Sequence, residues 1–523
     1  MLKKTISICL GLALLAAAGL PARAQDAAGA LKLTLAECIE RALQNNISLQ
    51  VAVLGPESAA MTLQRSKEKY LPTLTFNYQK RSNQSAAYSF QDVAGATNIT
   101  KTDSYGGSVR QANPWGGTLT LSTSDGLTDT NQKGNTINPR YSTNLQLSLS
   151  QPLLRDFGAK MANRDILIAR NSLDSSEFQL VKTVQDTVYS VTQAYWNLVY
   201  GIENLKVQQS SLQLARDFLA TNERKVEIGQ MAPMDVISAQ AQVATIEASI
   251  LSAESSVKAY EDNLKLLLNF SAEEEAGIQS IIPMDKPEFA AHPVDLAQAL
   301  AVAMQKRPDL RMSKIDMKTS ELNLAYAKNQ LLPSLSLNAG YSGSGISGTQ
   351  LIYDGNPLFG VVIDRIEGGI SDALKDTLAF KYPSWNIGLT LDVSLSNFIT
   401  KSSYALAQLS MKTAVLNQQI LEKTAVNEVR SAVRQMQTSY KLVQANQVAR
   451  ELAEKKLGAE EEKLRVGLST NYIVLQYQRD LGSARTAELQ AIINYNVAQT
   501  SLERAMGTLL ETKSIKITDI PVR

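Results

Sequence analysis

The side chains best suited to chemistry are few and scattered. The single histidine, His292, sits beside Pro293; one imidazole cannot build a histidine-rich metal site, and nothing near it in sequence marks it as a general base. Glu273, Glu274 and Glu275 form an acidic run that reads as a solvated helix end, with an ion site as the lesser alternative. Of two cysteines, Cys9 lies in the first apolar run, which leaves Cys38 without an intrachain disulfide partner. No P-loop, dinucleotide fingerprint or Gly-x-Ser-x-Gly elbow occurs. The expectation is a protein that is not an enzyme and carries no cofactor or metal.

What must be positioned is therefore surface rather than a reacting atom, and the first question is where the chain goes. Lys3 and Lys4, an apolar run from Ile6 to Leu20 and Ala22-Arg23-Ala24 have the order of a cleaved secretory signal, residues 1–24. The run is about 15 residues, short of the roughly 20 a spanning helix needs. No Cys follows the cleavage point to take a lipid. Lys plus Arg total 52 against 50 Asp plus Glu, and loss of Lys3, Lys4 and Arg23 leaves 52 − 3 = 49 against 50. A near-neutral chain without a basic block argues against nucleic acid as a partner. No later stretch has the apolar length of a membrane helix. Export without helical insertion leaves a periplasmic, secreted or β-barrel fate.

Self-comparison shows a duplication. Leu35-Ala36-Glu37 matches Leu296-Ala297-Gln298 at an offset of 296 − 35 = 261, and the same offset carries Leu71-Pro72-Thr73-Leu74 onto Leu332-Pro333-Ser334-Leu335. Arg224 to Gly229 resembles Glu462 to Gly467 at 467 − 229 = 238. The reading is a first repeat over 25–270, a linker over 271–293 with Pro283, Pro287 and Pro293, a second repeat over 294–510 and a tail over 511–523.

Four segments alternate with period two: Leu74 to Tyr78, Leu145 to Leu149, Leu335 to Ala339 and Ile387 to Leu395. Their polar faces are nearly uncharged, as in a barrel with lipid outside and water inside, although a soluble sandwich alternates in the same way. Segments near Ser104 to Val109 and Thr118 to Ser122, around Pro114-Trp115-Gly116-Gly117, have the composition of an extra hairpin, expected to lie outside the barrel proper. Trp115 is either an interfacial anchor or a cover for local apolar surface.

The rest is helical. Leu180, Val184, Val188, Val191, Tyr195, Leu198, Ile202 and Leu205 fall in steps of three and four, and Val236 to Leu267 repeats the rhythm. About 70 proline-free residues from Gly158 to Glu227 would extend on the order of 100 Å. Val429 to Val443 and Ala491 to Leu509 do likewise on either side of Gly467, so the fold is two long antiparallel helical hairpins, each with a strand pair. Four strands cannot close alone, because edge strands would leave unpaired backbone groups in hydrocarbon. Two copies would give 8 strands and a filled interior, and three would give 12 and a water-filled lumen.

Carried by Leu33 to Glu37, Ala42 to Asn46, Tyr70-Leu71-Pro72, Ala194 to Leu198, Arg307 to Leu310 and Ala505-Met506-Gly507, the chain resembles the TolC-like outer membrane efflux proteins. The resemblance implies a mainly α protein with a transmembrane β-barrel. A homotrimer would close a 12-stranded barrel in outer-membrane lipid, continued by a periplasmic α-barrel of 12 helices. Its partners would be a periplasmic adaptor and an inner-membrane pump of RND, ABC or MFS type. The function implied is the passive exit duct of a tripartite efflux or type I secretion system, opened by adaptor and pump. The pump class and the exported substrate are not legible.

In that family the helical tips carry a Val-Gly-Leu-like triplet. Here Ile228-Gly229-Gln230 precedes Asp235, and Val466-Gly467-Leu468 forms the second tip. Glycine there permits a positive φ and close approach by an adaptor hairpin, and it is also what any antiparallel helix pair needs at its turn. Asp235 equally caps the returning helix. Some members narrow the periplasmic entrance with acidic residues after the second tip. Those positions are Ile473 and Gln476, so the acidic ring does not carry over, and Asn471, Tyr472 and Gln476 are the candidates to restrict the entrance by size and hydrogen bonding. The competing reading is an exported coiled-coil or adhesin-type protein with a small β domain.

Overall fold

The structure is a computed structural model that describes residues 30–88, 92, 97–287, 289–290 and 294–516. The expected signal, His292 and the end of the tail lie outside the described residues. In chain order the elements are β1 (Ala30–Leu33), α1 (Leu35–Asn45), α2 (Ile47–Lys67), β2 (Thr73–Ser85), β3 (Asn98–Ala112), β4 (Thr118–Thr130), β5 (Ile137–Pro152), α3 (Ala159–Ala162), α4 (Arg164–Glu227) and α5 (Pro233–Leu268). There follow α6 (Ala272–Gly277), β6 (Ser280–Pro283), α7 (Leu296–Lys306), α8 (Pro308–Asn329), β7 (Ser334–Tyr353), β8 (Val362–Ile366), α9 (Ile370–Leu378), β9 (Tyr382–Asp392), α10 (Phe398–Arg465), α11 (Asn471–Met506) and α12 (Leu509–Thr512). The order α1, α2, β2, β5, α4, α5 recurs as α7, α8, β7, β9, α10, α11, and α5 and α11 are each 36 residues long.

The described residues fall into two compact units. One, formed by 54–179 and 309–422, is built on a single antiparallel sheet with the strand order β2-β3-β4-β5-β7. On the far edge of β7, β9 pairs with Ser334 to Ser344, and the short β8 pairs only with Gln350 to Tyr353. The sheet is thus six strands wide. α9 lies against β5 and β7, with Ala373 and Thr377 buried over Gly343 and Gly345, where any side chain would run into the α9 backbone. Thr377 Oγ1 and Thr143 Oγ1 share a hydrogen bond of 2.5 Å at that contact.

The four expected strands are all present, but the count is larger, seven in one sheet, and the extra hairpin is not outside it. β3 and β4 stand between β2 and β5, bonded on both sides. The alternation that marks a strand is broken here by Gly107, Thr123 and Asp125 on the otherwise apolar face, so the local pattern was weak while the pairing is continuous.

The second unit, residues 30–53, 180–308 and 423–516, is helical. The seam reading holds: Val184, Val188, Val191, Tyr195 and Leu198 of α4 are 0–1% exposed, and Val429, Val433, Met436 and Val443 of α10 are buried. Fully burying each such side chain contributes about 1.5–3 kcal/mol. Neighbouring helices are also tied by Arg216 to Glu247 (2.7 Å), Arg450 to Glu488 (2.7 Å) and Arg485 to Glu454 (3.1 Å). At its start, α1 has a reciprocal cap in which the Thr34 hydroxyl accepts from Glu37 N (3.3 Å) and the Glu37 carboxylate accepts from Thr34 N (2.9 Å).

Two knots hold the ends of this unit. β1 and β6 pair in parallel, and the Tyr195 hydroxyl reaches the Asp285 carboxylate at 2.9 Å, so an α4 seam residue fastens the linker. Burial pushes that phenol well above its usual range. Arg307, buried between α7 and α8, donates to the Ala505 carbonyl (3.2 Å) and pairs with Glu428 (2.7 Å). Within the acidic run, Glu274 is engaged by Arg41 at 2.5 Å, whose hydrogen bond holds its carboxyl below the ordinary range.

Candidate functional site: a two-faced sheet and paired helical tips

Register sorts the sheet by polarity. Because successive side chains of a strand alternate, partners share a face. Leu74 stands opposite Val109, Val109 opposite Leu121, Leu121 opposite Leu147, Leu147 opposite Tyr341 and Tyr341 opposite Trp385. The neighbouring rows add Phe76, Leu119, Leu149, Ile387 and Leu389 to the same face. Most of these side chains are wide open, Phe76 at 77% and Trp385 at 73%. From Leu335 to Tyr341 the band rises about 20 Å along the strand. At its distal border Tyr78 stacks on Tyr105 with ring centres 5.2 Å apart, and in the next row Lys80 pairs with Asp103 at 3.4 Å. Asp125 stands opposite Tyr105 in that row, so tyrosines and charge meet at this border of the apolar band, as aromatic and charged residues do at a membrane boundary.

The opposite face carries Thr75, Asn77, Ser108, Ser122, Gln146, Ser148, Asn338, Asn386 and Thr390. Charges stand only near its ends, with Arg110 and Asp392 at one end and Arg81 and Arg140 at the other, distal end. Ser150 donates to Asn338 (2.9 Å), which donates to Thr390 (3.2 Å), a polar ladder crossing three strands. Both outer strands, β2 and β9, are exposed along their whole length. Such a sheet has one face suited to an apolar environment and one suited to water, and its two outer strands have no further strand partner among the described residues.

The tips are built alike. At the end of α4, Gly229 has φ +72° and Gln230 N returns to the Lys225 carbonyl at 2.8 Å. At the end of α10, Gly467 has φ +81° and Leu468 N returns to the Lys463 carbonyl at 2.8 Å. This is the left-handed helix stop that glycine adopts without strain. Ile228, Val466 and Leu468 are exposed at 66%, 59% and 79%, and Gln230 is exposed beside them, while Asp235 is half-buried in the first turn of α5. Glu460 steadies the second tip, accepting from Ser469 Oγ (2.6 Å) and Lys463 Nζ (2.9 Å); these bonds hold its carboxyl below the usual range.

The structure brings the two tips together. Asn471 Nδ2 donates to Met231 Sδ at 2.9 Å, joining the start of α11 to the first turn. Tyr472 and Gln476, one helical turn apart, are exposed on the same side of α11, whereas Asn471 is buried away from them. Sequence reasoning did not single out Met231, nor Asn222, whose side chain is fully buried with neither amide atom bonded. A signal for Asn222 existed, since the seam continued from Leu205 through Leu212, Ala215 and Leu219 lands on it.

The family model for outer membrane efflux proteins matches residues 38–269 and 299–508. The chain belongs to the outer membrane efflux protein family. Within it, the chain is 25% identical to the outer membrane protein TolC of Vibrio cholerae over 66% of this chain and 72% of that protein. It is equally 25% identical to nodulation protein T of Rhizobium leguminosarum bv. trifolii, over 75% and 77%. Its fold is similar to that of the Campylobacter jejuni CmeC outer membrane channel, with a TM-score of 0.62 at 18% identity across 92% of this chain and 90% of that one. As a member of this family it is an outer-membrane channel of efflux or secretion systems, mainly helical with an antiparallel sheet.

Proposed function

We propose that three copies of the chain assemble into one passive exit duct, the outer-membrane part of a tripartite efflux or type I secretion machine. The observation that carries this reading is the single sheet with an open apolar face, a polar face whose charges stand only near its ends, and two free edges. A sheet of that kind is stable in a bilayer only when copies close it. The long helices of α4, α5, α10 and α11 supply the periplasmic conduit, and residues 1–24 serve as the cleaved export signal.

The exposed tips, Ile228-Gly229-Gln230 with Asp235 and Val466-Gly467-Leu468, are the contact for a periplasmic adaptor that recruits the inner-membrane pump. Open space around both glycines supports close approach by a partner helix. Tyr472 and Gln476 restrict the periplasmic entrance, and Asn471 holds the helix that bears them. Adaptor binding favours the open packing, and the helix pairs part like an iris.

The mass of the protein extracted from outer membranes in mild detergent, before and after boiling, tests this. A heat-dissociable species near three protomers is the expected result. Recovery without detergent, or a monomer, overturns it.

A further inference from the structure

We propose that the β3–β4 hairpin is part of the barrel wall, so that the closed channel has 3 × 6 = 18 strands in place of 3 × 4 = 12. This rests on the trimer proposed above; the partner at each free edge is a second copy of this chain. Barrel diameter grows roughly linearly with strand number, which makes the lumen wall about 1.5-fold wider than four strands per chain would give.

Three observations carry it. First, the hairpin stands inside the sheet, where both of its strands are paired along nearly their whole length: Thr73 to Ser85 with Asn98 to Arg110, and Thr118 to Thr128 with Arg140 to Ser150. No edge-strand pairing is lost by closure, because the free edges belong to β2 and β9. Second, parity is kept. Two added strands leave β2 and β9 antiparallel at the junction between copies, and they leave Leu74 and Leu147 on one face, each in register through Val109 and Leu121. One added strand would have made β2 and β9 parallel at that junction. Third, the hairpin's water-side residues, among them Gly106, Ser108 and Ser122, are small, so it adds wall without filling the path.

The turn at the helical end is fixed as a wall element would need. Asn113 Oδ1 accepts from Trp115 N (3.0 Å) and Gly117 N (2.8 Å), and the Trp115 carbonyl accepts from Gly158 N (3.2 Å). Gly116, at φ +95°, lies where a Cβ would come within 2.6 Å of the Asp156 carbonyl.

The test images the detergent-extracted oligomer by electron cryomicroscopy, full-length and with residues 98–130 deleted. The same register pairing then sets β2 directly against β5 with faces unchanged. The expected result is two trimers whose barrels differ about 1.5-fold in diameter. A full-length trimer with a 12-stranded barrel overturns the inference and leaves the trimer standing; an oligomer other than a trimer overturns the trimer alone, since strands per protomer are still counted. Should the deletion fail to fold, Leu121→Cys and Ser122→Cys in the full chain decide. In membranes, an impermeant water-soluble maleimide should label position 122 and not 121, and a lipid-borne quencher should reach 121 and not 122. Equal labelling of both by the soluble reagent overturns the wall placement.

Discussion

Asn471 Nδ2 lies 2.9 Å from Met231 Sδ, which fastens the head of α11 to the turn between α4 and α5 across 471 − 231 = 240 residues of chain. The thioether is a weak acceptor but a good packing surface, so the contact works mostly by filling space. Met231→Ala should therefore loosen both tips, speeding tryptic cleavage after Arg224, Lys225 and Arg465, while Met231→Leu should change it little. Equal rates in all three proteins would show that the tips are not held here.

Asn222 is buried at 0% exposure with neither amide atom bonded. An unpaired buried amide costs roughly 1–3 kcal/mol, so Asn222→Leu should stabilise the observed tip packing by about that amount. The matching functional outcome is a lower spontaneous conductance of the isolated channel in planar bilayers. A rise in conductance would mean that the observed packing is not the closed one.

Tyr472 and Gln476 share the exposed side of α11. Tyr472→Ala with Gln476→Ala should raise single-channel conductance of the isolated protein, because the double change removes bulk and hydrogen bonding without altering charge. Unchanged conductance removes these residues from the entrance.

Glu460 has a folded-state pKa below that of the unfolded chain because Ser469 and Lys463 bond its carboxylate. Its stabilising effect is fully present above the ordinary glutamate range and is lost as pH falls through the lowered folded value. Protease resistance of the second tip should fall with acidification in that window. Glu460→Gln should be more sensitive than the parent at neutral pH and converge with it in acid; a constant difference would rule out the carboxylate.

Burial in the α1 core pushes the Cys38 thiol up to about 12. At pH 8 only about one molecule in 10⁴ is then thiolate, and access is blocked as well. Maleimide should label Cys38 of the protein extracted from membranes at least about 100-fold more slowly than after denaturation. Comparable rates would place α1 outside the core.

Much of the architecture was legible in the sequence because it is local. A three-and-four spacing selects one helix face, so the α4 seam from Leu180 to Leu205 and the glycine stops at Gly229 and Gly467 could be read residue by residue. Alternation likewise marked β2, β5, β7 and β9, and the 261-residue offset tied Leu35 to Leu296 as the starts of α1 and α7. Tertiary structure alone decided what depends on partners distant in sequence. The β3–β4 hairpin joined the sheet because β2 and β5 bond its two edges, although Gly107 and Asp125 spoil its own alternation. Asn471 turned inward because Met231 was there to meet it, while Tyr472, the next residue along, stayed exposed. A helix or strand period is written into neighbouring residues, whereas register between strands and burial at a helix crossing follow from loop closure and packing over hundreds of residues, and no local pattern encodes them.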